Sequence, residues 1–173
     1  VAATAKHFPG DGMDDRDQHL VTSVNPLPFD QWRATYGEVW RRAIEAGVMT
    51  IMPGHISLPD YQGYRADPDA APPATLSRTL LIDLLRQELG FTGLIVSDST
   101  SMAGLTTRAA PAERIVASLA AGIDLYLGAD PDHDLGYVRQ AVREGRLSEE
   151  SIYASARRVL AMIEDLAKND AEK

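Results

Sequence analysis

The sequence predicts an α/β fold of the (β/α)8 or TIM-barrel type, of which the 173 residues supply about four βα units. Three observations predict this fold. A strand–loop–helix order repeats along the chain, the predicted strands are short apolar runs suited to a buried parallel sheet, and polar residues follow their carboxyl ends. Four βα units are half of an eightfold barrel, and the chain is shorter than the about 250 residues that a complete barrel needs.

The predicted strands differ in how strongly they are patterned. The first is a weak candidate that leads into Lys6, whereas the second is a continuous apolar run that Pro53 stops. Asp98 follows directly after the carboxyl end of the third predicted strand. The four predicted strands cover residues 2–5, 48–52, 93–97 and 123–127.

Apolar periodicity and capping residues predict the helices. Ser77 and Ser148 are suited to cap two of them, Pro111 suits a first turn, and Gly47 and Gly90 follow helix ends. The predicted helices cover residues 29–46, 78–89, 111–121 and 134–144, with a last one that starts at Ser148.

The periodicity also predicts which side chains face the core. These are Trp32, Tyr36, Val39, Trp40, Ala43 and Ile44, then Leu80, Leu81, Leu84 and Leu85, and in the last helix Ile152, Val159, Leu160 and Ile163. We assign residues 1–167 to the barrel half and expect residues 168–173 to form a frayed, charged tail.

Composition excludes several classes of protein. A net charge of −8 argues against binding to a nucleic-acid backbone, and no apolar stretch approaches the length of a membrane span. The chain has no cysteine, which excludes disulfides and thiolate metal sites and favours a reducing, cytoplasmic compartment.

One loop contains a dense set of chemically useful residues. Lys6 and His7 stand at the predicted end of the first strand, and Asp17 and His19 lie two residues apart in the glycine-punctuated loop that follows. Glycines allow the positive φ angles with which a loop can fold over a pocket. This arrangement is more typical of a catalytic site than of a structural loop.

Asp98 is the second strong signal. A buried strand that ends in a carboxylate requires a partner or a chemical role, and an N-cap for the following turn is an alternative that spacing leaves open. Lys6, His7, His55 and Asp98 all follow strands, and the carboxyl ends of strands form the active face of a βα barrel.

The segment Lys6-His7-Phe8-Pro9-Gly10-Asp11-Gly12, with Asp17-Gln18-His19 after it, resembles the signature of glycoside hydrolase family 3 in its β-N-acetylhexosaminidase branch. The strand that ends in Ser97-Asp98 and leads to Met102 is similar to the nucleophile segment of that family. The resemblance covers nearly the whole chain, as the C-terminal half of the catalytic barrel.

The resemblance implies a role for each matching residue. Asp98 is the implied nucleophile, His19 the acid/base and Asp17 the residue that orients it. Lys6 and His7 are implied to bind sugar hydroxyls. His55 is expected either to line the pocket, the interpretation we favour, or to bind backbone at the barrel rim.

Three positions depart from the family pattern. Asp11 stands where relatives often have His, and we assign it no role. Gln18 replaces a common Ser, and its larger side chain could point to solvent. Ser99 occupies a position that is often acidic.

The resemblance implies hydrolysis of terminal β-linked N-acetylhexosamine, from a GlcNAc-containing glycan or a muropeptide, with no metal or organic cofactor. Phosphorolysis and β-glucosidase-type activity at the same site are alternatives. A non-catalytic half-barrel that binds sugar or serves as an assembly piece is another. Because the sheet would have two open edges, we expect a separate N-terminal half, a longer chain or a homodimer to complete it.

Other polar clusters carry weaker signals. His133 lies among Asp130, Asp132 and Asp134, which suggests a metal site, but adjacent side chains in a turn rarely converge on one ion, so we expect a solvated loop. Residues 14–16 are likewise expected to be solvated charges.

Overall fold

The structure, a computed structural model, describes residues 1–171 and the side chains of residues 1–168. It is an α/β fold with two parallel sheets, which are ordered β1-β3-β5 and β2-β4. The strands are β1 (Thr4–Phe8), β2 (Ser23–Val24), β3 (Thr50–Pro53), β4 (Ile56–Ser57) and β5 (Leu94–Ile95).

The helices follow the predicted order closely. A continuous helical run consists of α1 (Phe29–Trp32), a π-helical turn at Arg33–Gly37 and α2 (Glu38–Glu45), and a π-helical segment covers Thr79–Glu88. The remaining α-helices are α3 (Pro59–Gln62), α4 (Ala103–Thr106), α5 (Pro111–Ala121), α6 (Asp134–Arg143) and α7 (Glu149–Ala171). Short 3-10 turns at Pro68–Ala70 and Ala74–Leu76 lie in the loop before the long π-helical segment.

The first strand lies further along the chain than predicted. It pairs with β3 in parallel, with Lys6 opposite Met52, and the register shifts before Phe8 meets Pro53. Pairing with β3 therefore places Lys6 and His7 inside the strand rather than after it. The weak apolar pattern at residues 2–5 did not reveal this extension.

The fourth predicted strand is wrong as a strand. Residues 123–127 make only an isolated parallel bridge, between Val96 and Leu125. Asp124 replaces some of the backbone hydrogen bonds that a strand would make here. Its side-chain Oδ2 accepts a hydrogen bond from the Ile95 amide at 2.9 Å, and its own amide donates to the Ile95 carbonyl at 2.8 Å.

Asp124 is the centre of a buried charge network. Its side chain is 1% exposed, and its two oxygens contact the guanidinium groups of Arg86 and Arg158. Ser155 adds a hydrogen bond of 2.7 Å to Oδ1. Because each lone-pair direction meets a donor, the network ties α7 to the sheet without an unpaired buried charge.

The core confirms most of the predicted inward positions. Trp32, Trp40 and the four leucines of the Thr79–Glu88 segment are buried, but Val39, Leu160 and Ile163 are more than half exposed. In the last helix, the predicted Ile152 does pack, against the small cluster that contains Ile115 and Leu147.

The predicted tail is largely helical, since α7 continues through Ala171. The last two positions, 172–173, lie outside the described residues. None of the helices that the structure describes is long and apolar enough to cross a membrane.

Candidate active site

Two tryptophans fix the carboxyl end of β1. The Trp32 and Trp40 indole groups both donate to the Pro9 carbonyl, at 2.9 and 3.0 Å. Phe8 is fully buried and makes edge contacts with both rings. The residues that precede Phe8 are thereby held at a defined position of the sheet edge.

The structure brings His7 and Asp98 together. The Nε2 atom of His7 lies 3.3 Å from Oδ2 of Asp98, and the two side chains are 21% and 17% exposed. The other carboxylate oxygen of Asp98 accepts the Ser99 amide at 2.7 Å. Asp98 is therefore partly buried and oriented, yet still accessible from the surface.

The Lys6 side chain is exposed, and its ammonium group makes no hydrogen bond or ion pair in the part of the chain that the structure describes. This ammonium group is therefore free to bind a ligand. In the backbone of the same strand, the peptide bonds Lys6–His7 and Phe8–Pro9 are cis.

Asp17 and His19 form the predicted dyad. Oδ1 of Asp17 accepts the His19 amide at 2.8 Å and lies 2.7 Å from His19 Nδ1. These hydrogen bonds, the backbone one first, lower the pKa of Asp17, which keeps the carboxylate ionised. Because an ionised carboxylate only accepts, Nδ1 carries the hydrogen and Nε2 is left for proton exchange.

The turn that carries the dyad is docked on the segment that follows Asp98. Ala103 donates its amide to the His19 carbonyl at 3.0 Å, and Gly104 donates to the Gln18 carbonyl at 3.2 Å. Thr22 returns a hydrogen bond of 2.7 Å to the Gly104 carbonyl. The elements that contain the predicted nucleophile and acid/base are therefore joined directly.

His55 differs from the expectation that it lines the pocket. Its side chain is fully buried, with Nε2 2.9 Å from the Ser99 carbonyl and Nδ1 3.0 Å from Thr75 Oγ1. Burial lowers the pKa of His55, so the ring is neutral and donates from Nε2. The ring therefore supports the backbone next to Asp98, as in the rim alternative, and its nitrogens are already occupied.

The prediction that residues 14–16 are merely solvated is wrong for two of them. Asp14 is 11% exposed, pairs with Arg16 at 2.7 Å and accepts the Val24 amide at 2.7 Å. The hydrogen bond from the Arg16 side chain lowers the pKa of Asp14 to about 2. Arg16 also reaches Asp69 at 3.0 Å. These contacts close the loop before β2.

His133 pairs with Asp130 at 2.8 Å, and both side chains are more than half exposed. Within the described residues, no group of three potential metal ligands converges on one point.

Sequence reasoning missed Asp11 and Gln18. Gln18 does not point to solvent: it is 7% exposed, and it donates from Nε2 to Asp11 Oδ2 at 3.0 Å and accepts the His55 amide at 2.9 Å. Asp11 Oδ2 also lies 3.5 Å from Nδ1 of His7. The only available signal was that both residues depart from the family pattern.

Comparisons with known proteins identify the family of the chain. Residues 1–162 match the model of the glycosyl hydrolase family 3 N-terminal domain. A β-N-acetylglucosaminidase/β-glucosidase of Cellulomonas fimi is 46% identical over 167 residues, which are 94% of this chain and 29% of that protein. A β-hexosaminidase of Vibrio cholerae is 40% identical over 131 residues, 73% of this chain and 36% of that protein. The chain thus spans about a third of these relatives.

Solved structures give the same result for the fold. The β-glucoside phosphorylase BglX bound to 2FGlc superposes with a TM-score of 0.90 at 35% identity, over 98% of this chain and 31% of that one. A family 3 β-N-acetylglucosaminidase from a Paenibacillus species gives 0.83 at 34% identity, over 93% and 30%. The chain folds as part of a TIM-barrel-type domain, and it belongs to glycoside hydrolase family 3.

Proposed function

We propose that residues 1–167 are the C-terminal half of the catalytic barrel of a retaining glycoside hydrolase that releases terminal β-linked N-acetylhexosamine, chiefly GlcNAc. The observation that carries the proposal is the hydrogen-bonded Asp17–His19 pair, docked on the segment that follows Asp98. The names of the Cellulomonas fimi, Vibrio cholerae and Paenibacillus relatives support the substrate class.

In the first step, a carboxylate oxygen of Asp98 attacks the anomeric carbon while the bond to the aglycone oxygen breaks. That oxygen takes the proton from Nε2 of His19, so the leaving group departs as a neutral alcohol. The ionised Asp17 carboxylate holds the ring through Nδ1 and stabilises its cationic form. The product is a covalent glycosyl ester of Asp98.

In the second step, His19 takes a proton from water as the water oxygen bonds to the anomeric carbon and the ester bond to Asp98 breaks. Two displacements at one carbon retain its configuration. Histidine suits both directions of transfer because its ordinary pKa of about 6.5 lies near working pH.

Sugar binding falls to the free ammonium group of Lys6 and to His7, which stand on the strand edge beside Asp98. His55 acts from behind this surface, through the Ser99 backbone. The chemistry needs no metal ion.

We further propose that a second barrel half, in a longer chain, a separate chain or a second copy, completes the site. β1 is the last strand on its side of the β1-β3-β5 sheet, and an edge strand exposes unpaired backbone groups. The assembly of this chain with such a half is called the complete protein below.

The test of the main proposal is covalent trapping of the complete protein. A 2-deoxy-2-fluoro or equivalent trapping sugar should label Asp98, and Asp98→Asn should lower turnover by about 10³-fold or more with the fold retained. A label on another residue would overturn the assignment. Bound saccharide that is never cleaved would favour a non-catalytic half-barrel.

Phosphorolysis is a second candidate, which the similarity to the phosphorylase BglX favours. Here phosphate oxygen replaces water in the second step, and a neutral histidine base repels an anionic acceptor less than a carboxylate does. Assays with and without phosphate separate the two reactions, because hydrolysis releases free sugar and phosphorolysis releases the sugar 1-phosphate. The name of the Cellulomonas fimi relative also includes β-glucosidase, so a β-glucoside is the second substrate to use in this assay.

A further inference from the structure

A line of polar contacts runs from the dyad loop to the predicted nucleophile. Gln18 donates to Asp11 Oδ2 at 3.0 Å, the same oxygen lies 3.5 Å from His7 Nδ1, and His7 Nε2 lies 3.3 Å from Asp98 Oδ2. His7 is therefore an imidazole between two carboxylates, only one of which has a role in the proposed reaction.

Gln18 holds the outer carboxylate in place. Its amide is fixed at both ends, since Oε1 accepts the His55 amide at 2.9 Å and Nε2 donates to Asp11. The side chain also packs against Gly54, where an added Cβ would come within 2.8 Å of Oε1. A buried neutral amide with so little room to turn sets the position of the Asp11 oxygen.

Asp11 itself has little structural reason to be acidic. Its side chain is 48% exposed, and exposed ion pairs contribute little to stability. Its effect on His7 is geometric, because an imidazole can rotate about its last side-chain bond unless one ring nitrogen has a fixed partner. A carboxylate at Nδ1 keeps Nε2 directed at Asp98.

We propose that Asp11 is a positioning residue for His7, and through it for Asp98, and that Gln18 sets the position of Asp11. This inference rests on the proposed function, since it assigns a purpose to the orientation of the nucleophile. Asp11 and Gln18 are two of the departures from the family pattern, and in this chain they contact each other.

The test compares two carboxylates of the same loop. Asp11→Asn keeps the size of the side chain and removes its charge, whereas Asp15→Asn is the matched control, because Asp15 is exposed and has no partner in the part of the chain that the structure describes. The rate of trapping by a 2-deoxy-2-fluoro sugar, at saturation, reports the attack step in the complete protein. Asp11→Asn should slow trapping about tenfold, with little change in the concentration of trapping sugar that gives half-saturation. Asp15→Asn should leave the trapping rate unchanged.

Ring-nitrogen NMR shifts of His7 supply a readout that is independent of activity. They should change in Asp11→Asn and stay unchanged in Asp15→Asn. Equal trapping rates for the two variants, or unchanged His7 shifts in Asp11→Asn, would overturn the inference. A label on a residue other than Asp98 in the unmodified protein would instead refute the proposed function, while the NMR comparison would still test the contact with His7.

Discussion

Replacing Gly104 by alanine should disable the dyad while the protein stays folded. An added Cβ would lie 2.6 Å from the Gln18 carbonyl oxygen, 2.8 Å from that of Val21 and 2.9 Å from Cβ of His55. Atoms in ordinary contact are about 3.5 Å apart, so the turn that carries His19 has to move by roughly 0.5–1 Å. Displacements near 1 Å can cost about 10²-fold in rate.

The loss of stability should be small enough for the protein to stay folded. Overpacking costs about 1–3 kcal/mol, whereas the helix propensity of alanine returns up to about 1 kcal/mol within α4. We therefore expect a net loss of about 0–3 kcal/mol in the free energy of unfolding. In the complete protein, kcat/KM for an aryl N-acetyl-β-glucosaminide should fall about 10- to 100-fold.

Gly136 supplies the matched control, because it lies in α6 and an added Cβ there meets nothing within 4 Å. Gly136→Ala should keep full activity and gain up to about 1 kcal/mol of stability. If Gly104→Ala were as active as Gly136→Ala, the close approach between α4 and the dyad turn would not position His19, and the reasoning would be refuted.

Three further predictions follow from the same site. His19→Ala should harm substrates with poor leaving groups most and spare the first step for activated aryl glycosides, with partial rescue of the second step by azide; a uniform loss without rescue would contradict the acid/base role. The Asp14 carboxylate has a folded-state pKa of about 2, below its ordinary 3.8, so its pairing with Arg16 should stabilise the fold above about pH 4 and cease to do so as the pH falls towards about 2. Denaturant unfolding of Asp14→Asn beside the unmodified protein checks this, since the gap between them should close in acid. The isolated chain should have negligible glycosidase activity and should not sediment as a stable monomer, whereas a fully active monomer would contradict the proposed half-barrel.

The sequence predicted the order of the elements well because order depends on local patterns. Continuous apolar runs and helical periodicity are visible without tertiary context, and they located β3 and the helix from Phe29 to Glu45. The extent of a strand depends on its partner instead. Pairing with β3 extends β1 through His7, and the side chain of Asp124 replaces ladder bonds near residue 124.

The predicted inward positions of the helices were wrong where no other element in the described part of the fold packs against that side of the helix. Val39 and Leu160 have the correct spacing but are 65% and 59% exposed. Periodicity gives the direction of a side chain relative to its own helix, and it carries no information on whether another element covers that direction.

In the site, too, the residues with reactive groups were predictable from the sequence, whereas the residues that position them were not. Charged residues such as Asp17, His19 and Asp98 could be recognised individually, because their chemistry suggests a role. Gln18 and Gly104 could not, since an amide and a glycine suggest none. Yet Gln18 fixes the Asp11 carboxylate, and only a residue without a side chain lets the segment after Asp98 approach the dyad turn. Neutral neighbours such as Gln18 and Gly104 therefore position the exposed reactive groups. Substitutions of these neighbours should lower the reaction rate, although neither residue takes part in the chemistry.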